Sequence, residues 1–159
     1  MEEKIKVNLY TDGACSGNPG VGGYGAILVY VDSNGIKHEK EFSQGNKMTT
    51  NNQMELLAVI VGLEALKKPC NVTVYSDSKY VVDAFNNKWI DGWIAKGWRT
   101  AGKTPVKNVE LWKRLLETMK KHYVDFIWVK GHAGHEYNER CDTLAVAAGK
   151  KDNLKTDIA

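Results

Sequence analysis

The chain has 159 residues, 43% of them hydrophobic and 26% charged. That length and balance fit one globular domain with a buried core and exclude a disordered or fibrous chain. With 22 basic against 19 acidic residues, the net charge of +3 permits a polyanionic partner without demanding one.

No apolar run approaches the roughly 18 residues that cross a bilayer, and the opening Met1-Glu2-Glu3-Lys4 lacks signal-peptide character. Cys15, Cys70 and Cys141 are far apart and form no C-x-x-C pair. They read as reduced thiols, and a cytoplasmic protein without a membrane partner is expected.

Ile5 to Thr11 alternates apolar and polar residues, the period of a strand. Asp12-Gly13 ends it, and several glycines between Gly17 and Gly23 read as turn formers. Tyr24 to Val31 is a second strand, and Lys37 to Phe42 a third. Asn34-Gly35 between them suits the positive φ of a hairpin turn, so the first three strands form an antiparallel meander.

The period then changes. Thr49-Thr50-Asn51-Asn52 supplies capping residues to a helix with Met54, Leu57, Ala58, Val61 and Leu66 at helical spacing, stopped by Pro69. Val72 to Ser76 is a short strand ending at Asp77, and Ser78 caps a helix running from Lys79 towards Phe85. Lys88 to Trp98 forms a short helix with three tryptophans, followed by a loop with Gly102 and Pro105. Val109 to Lys121 is an amphipathic helix, Tyr123 to Val129 the fifth strand, and Asn138 to Ala148 the last helix. Trp112 and Trp128 lie in periodic apolar segments and are expected in the core, with His38 and His122 on the surface.

This order predicts an α/β fold. Its mixed five-stranded sheet has three antiparallel strands, then two parallel ones, with helices packed on both faces. Residues 1–150 form one domain, and the polar tail 151–159 is expected to fray.

Four acids sit where such folds place chemistry. Asp12 and Asp77 end strands at the carboxyl edge, where ligands of open α/β sheets bind. Glu55 and Asp142 lie in the early turns of helices that can reach the same spot. Hard divalent cations take carboxylate oxygens and offset their mutual repulsion. Two such ions roughly 4 Å apart can activate a water and stabilise the leaving oxygen of a phosphodiester. Taken singly, each acid reads as a turn residue or a helix N-terminal acid.

Five blocks, in order, resemble the ribonuclease HI (type 1 ribonuclease H) family in its bacterial single-domain form. They are Thr11-Asp12-Gly13 through Gly25, Thr49 through Leu56, Ser76-Asp77-Ser78 with Tyr80, Gly97 through Trp112, and Trp128 through Asp142. Together they span most of the chain, from about Lys6 to Ala148.

The resemblance implies an endoribonuclease that hydrolyses the RNA strand of RNA–DNA hybrids, leaving 5′-phosphate and 3′-hydroxyl ends. It implies two magnesium ions held by Asp12, Glu55, Asp77 and Asp142, with manganese as a substitute, and a proton-transfer or product-release role for His132 on a glycine-flanked loop. Asn18, Asn51 and Asn52 match residues that reach RNA 2′-hydroxyls, and Thr50 matches part of a pocket for a DNA-strand phosphate. Trp89, Trp93 and Trp98, with Lys96, Arg99 and Lys107, match a basic protrusion that packs on the DNA strand.

Three departures stand out. Lys79 replaces a glutamine of some relatives, Gln53 replaces a common arginine, and the protrusion carries fewer cations, which predicts weaker or more salt-sensitive binding. A monomer without an obligate protein partner is expected.

Competing readings are weaker. A zinc site from His132, His135 and Cys141 lacks a fourth ligand. A phosphotransferase using Asp12 would need a second lobe, and a silent hybrid-binding module would be expected to have lost an acid. Another nuclease on this fold, such as a resolvase or integrase core, fits the tryptophan-rich basic segment less well.

Overall fold

Alternation drives Val7 and Leu9 of β1 (Ile5–Ser16) into the core, where both are almost fully buried. The computed structural model describes residues 5–131 and 135–158. In it, β2 (Gly20–Val31) and β3 (Lys37–Thr49) complete the meander, followed by α1 (Asn51–Glu64) and β4 (Cys70–Ser76). Then come α2 (Lys79–Asn86), α3 (Trp89–Ala95), α4 (Val109–Met119), β5 (Tyr123–Trp128) and α5 (Glu136–Gly149).

The sheet order is β3-β2-β1-β4-β5. β1 pairs antiparallel with β2 and parallel with β4, and β4 pairs parallel with β5. This is the expected mixed sheet. Helices cover both faces. On one, Leu9, Ala26 and Leu28 pack with α1, α2 and α4, centred on Trp112, which is fully buried as expected. On the other, Ile27 and Val29 pack with Tyr10 and Cys141, a residue of α5. α1 lies deep, with nine of its fourteen residues buried, because it is apolar nearly all round.

Several expectations need correction, among them the third strand, which runs on past Phe42 to Thr49. First, β1 does not end at Asp12; it continues to Ser16, still paired with β2. Second, most of the glycine run is strand, not turn. A Cβ on Gly23 would stand 2.4 Å from the Ala145 carbonyl oxygen, and one on Gly25 would stand 2.4 Å from that of Cys141. These glycines let α5 close directly onto the sheet backbone. Third, Trp128 is not core. β5 is an edge strand, and Tyr123, Ile127 and Trp128 are all exposed. Fourth, the tail is docked: Lys155 N donates to Gly45 O at 2.9 Å, and Lys47 N donates to Lys155 O at 2.8 Å. Gln44 and Asn46 side chains donate to the carbonyls of Asn153 and Asp157, and Ile158 packs against the core. Backbone pairing, the side-chain amides of β3 and the packing of Ile158 together hold the tail, and its polar composition reports none of them.

His38 is on the surface, as expected; His122 is half-buried and accepts from Cys70 N at 3.1 Å. The three cysteines are free thiols. No described helix is long and apolar enough to cross a membrane.

Candidate metal centre and nucleic-acid cleft

The parallel ladder between β1 and β4 stops at Tyr10 and Tyr75. Just beyond it, Asp12 projects from β1 and Asp77 from the bend after β4. Glu55 arrives from the second turn of α1, and Asp142 from the second turn of α5. One carboxylate oxygen from each of Asp12, Glu55 and Asp77 lies within 4.8 Å of the others. Asp142 lines the same cleft and adds its charge and hydrogen bonding to Asp12.

Asp12 and Glu55 are 2% exposed. Burial, then the charges of Asp77 and Asp142, pushes the Asp12 carboxyl up to about 8. Glu55 is raised well above its ordinary value, first by burial, then by Asp12 and Asp77. Buried like charges at this spacing are unfavourable without a compensating cation. Glu55 Oε2 is buried with no hydrogen-bond partner among the described residues. An all-oxygen donor set with an orphaned buried acceptor fits a hard divalent cation.

The floor of the cleft is tightly built. A Cβ on Gly13 would fall 2.7 Å from Glu55 N and 2.9 Å from Met54 Cβ, so only glycine lets α1 seat against β1 here. Thr50 caps α1, its hydroxyl accepting from Gln53 N at 3.2 Å while Gln53 Oε1 accepts from Thr50 N at 3.1 Å. Gln53 Nε2 donates to Asn108 Oδ1 at 3.3 Å. Asn108 Nδ2 and Trp112 Nε1 both donate to the Tyr80 hydroxyl. This chain ties α1 to α2 and α4. Gln53 therefore has protein partners at both ends of its amide, and Thr50 is engaged as a cap. The Thr50–Gln53 spacing is a capping-box signature, visible in the sequence; the link onward to Asn108 and Tyr80 has no sequence signal.

Asn51 and Asn52, in the first turn of α1, line the cleft with the acids. Asn18 Oδ1 accepts from Asn51 N at 3.1 Å, fixing the turn between β1 and β2 beside that helix start. Lys79 also lines the cleft. Trp89 is exposed, whereas Trp93 and Trp98 are half-buried and pack on the core, Trp93 edge-on to Trp112 at 5.5 Å. Lys96, Arg99 and Lys107 are exposed on the same segment. Its backbone is held in left-handed conformations at Lys88, Trp98, Lys103 and Asn108. His132 lies outside the described residues.

The ribonuclease H family profile matches residues 4–150. A ribonuclease H of Lachnoclostridium phytofermentans is 62% identical over 96% of this chain and 98% of its own length. One of Desulforamulus reducens is 56% identical over 96% of this chain and 93% of its own. Among solved structures, LC9-RNase H1, a type 1 enzyme with the type 2 active-site motif, superposes with a TM-score of 0.84 at 30% identity, covering 94% of this chain and 74% of that one. LC11-RNase H1 in complex with an RNA/DNA hybrid superposes at 0.62 with 25% identity, covering 91% and 96%.

Proposed function

The chain belongs to the ribonuclease H family, and from that premise we propose that it is an endoribonuclease hydrolysing the RNA strand of RNA–DNA hybrids with two divalent metal ions. The observation that carries this reading is the convergence of the Asp12, Glu55 and Asp77 oxygens within 4.8 Å. Asp142 and the amides of Asn51 and Asn52 share their cleft.

Asp12, Glu55, Asp77 and Asp142 would hold magnesium, with manganese as a substitute. Bound there, the ions supply an activated water and stabilise the departing oxygen. The phosphorus–O3′ bond breaks, leaving a 5′-phosphate and a 3′-hydroxyl. The chain's own residues select and position the strand. Asn18, Asn51 and Asn52 stand together at the start of α1, where their polar atoms can read 2′-hydroxyls, the group that separates RNA from DNA. Thr50 and Gln53 hold that helix start in register. Lys96, Arg99 and Lys107, with Trp89 exposed beside them and Trp93 and Trp98 bracing the segment, would carry the DNA strand. His132 would assist proton transfer or product release. The enzyme acts as a monomer.

The test is cleavage of four labelled substrates in magnesium, with and without EDTA: RNA–DNA, RNA–RNA, DNA–DNA and single-stranded RNA. Cleavage of RNA only in the hybrid, abolished by EDTA, is expected. Cleavage of DNA would move the protein to another nuclease class.

A further inference from the structure

Trp128 closes β5, in register with Ser76 at the end of β4. It is 39% exposed, yet its ring has a partner at its edge and another on its face. Indole Nε1 donates to the Asp77 carbonyl at 3.1 Å. On its face, the Lys79 ammonium stands 4.5 Å from the ring centroid. Asp77 thus offers its carboxylate to the acid cluster and its carbonyl to the indole. The position of the indole is referenced to the metal centre through a single residue.

Lys79 is the first residue of α2 and lines the cleft together with the four acids, Asn51 and Asn52. Among the described residues lining that cleft, it is the one cation. A lysine on a flexible stem loses much rotamer freedom when it must hold one position. An aromatic face beneath its ammonium narrows that freedom before any ligand arrives. Two divalent ions held there would match the charge of the four acids and leave the strand's phosphates unmatched. A polyanionic strand brings its neighbouring phosphates to the rim as well, and among the described residues lining the cleft Lys79 is the cation there to meet them.

We propose that Trp128 is a positioning residue that presents the Lys79 ammonium to a backbone phosphate of the RNA strand beside the cut. The inference rests on the hybrid-cleaving reading above. A glutamine at position 79, as in some relatives, can offer a hydrogen bond but no charge. Lysine makes this contact ionic, and its signature is therefore counterion release.

The experiment is steady-state cleavage of an RNA–DNA hybrid at saturating magnesium, between about 50 and 200 mM salt. The wild type is compared with K79Q, K79R, W128F, W128L and K79Q/W128L, each checked for thermal unfolding. K79Q is expected to raise KM several-fold with little change in kcat. It should also flatten the slope of log(kcat/KM) against log salt by about 0.7 to 0.9, one phosphate contact. K79R restores the slope. W128L shifts KM in the same direction and adds nothing in the double variant, because both act on one contact. W128F, which keeps a ring but loses the indole N–H, falls between wild type and W128L. A merely structural role would lower the unfolding temperature or kcat without moving the slope. An unchanged slope in K79Q, or additive effects of K79Q and W128L, overturns the proposal. A wild type that does not cleave the hybrid overturns the parent reading instead.

Discussion

Tyr10 and Tyr75 are the last partners in the parallel ladder of β1 and β4, their rings stacked at 4.9 Å, and each is followed two residues later by an acid. Parallel pairing keeps the strands level, so the equal offset delivers Asp12 and Asp77 side by side at the carboxyl edge. The helices that follow β3 and β5 then add Glu55 and Asp142.

Without metal, the protein should lose stability as pH rises. The Asp12 carboxyl is pushed up to about 8 in the fold, against an ordinary value of about 3.9 for the unfolded chain. Between those values the folded state holds a proton that the unfolded chain has released. The stabilisation is complete below about pH 4 and is lost as pH rises through about 8. Glu55, shifted the same way, reinforces the trend. Thermal unfolding in EDTA should therefore fall from about pH 5 to 9, and magnesium should flatten the profile. A flat profile in EDTA would contradict a buried, mutually repelling acid pair.

Asp12→Asn and Asp77→Asn should each reduce cleavage on the order of a thousandfold or more. Both should fold, and Asp12→Asn should weaken the pH-dependent decline just described, leaving the part that Glu55 contributes. Activity and unfolding measured on the same preparations check this. Near-normal cleavage by either variant would remove that acid from the metal site.

Gly13→Ala and Gly92→Ala should act in opposite directions. At Gly13 the added Cβ meets the Glu55 backbone, so the variant should lose about 1–3 kcal/mol and also lose kcat, because α1 carries Glu55. At Gly92, inside α3, a Cβ meets nothing within 4 Å, and the helix should gain about 0.5–1 kcal/mol. Urea unfolding measures both.

A chain ended after Asp152 should be destabilised by about 2 kcal/mol, from the lost backbone bonds to Gly45 and Lys47 and the lost partner of the Asn46 amide. Asn46 is 1% exposed, so its amide would be left buried without that acceptor. Denaturant unfolding of the shortened chain gives the number, and no change would mean the tail contributes nothing to the fold.

Element order, both helix-covered faces and the acid edge were legible because hydrophobic period reports which side of an element is buried. The misread segments share a cause: their meaning lies in a partner distant in sequence. A glycine that permits a turn and a glycine that permits a helix to touch a strand look alike. Gly23 and Gly25 are distinguished only by Ala145 and Cys141. Trp128 reads as core until β5 is known to be an edge. Gln53 reads as a substrate contact by position in the family, yet its spacing from Thr50 already marked a cap. Asp12 and Asp77 converge because both lie just past the end of the parallel β1–β4 ladder, so reading Asp12 as a strand end found the right place although β1 itself runs on to Ser16.

The continuation of β1 past Asp12 makes the four acids mechanically unequal. Asp12 sits mid-strand, its neighbours laddered to Ala26 and Tyr24 on β2, and cannot shift without breaking the middle of a sheet. Asp77 sits on a bend beyond the last residue of β4. Asp12 is therefore the acid whose backbone the sheet holds on both sides in sequence, and Asp77 the one carried just outside it. Amide hydrogen exchange would register the sheet's hold on Asp12 as slow exchange along residues 11–13.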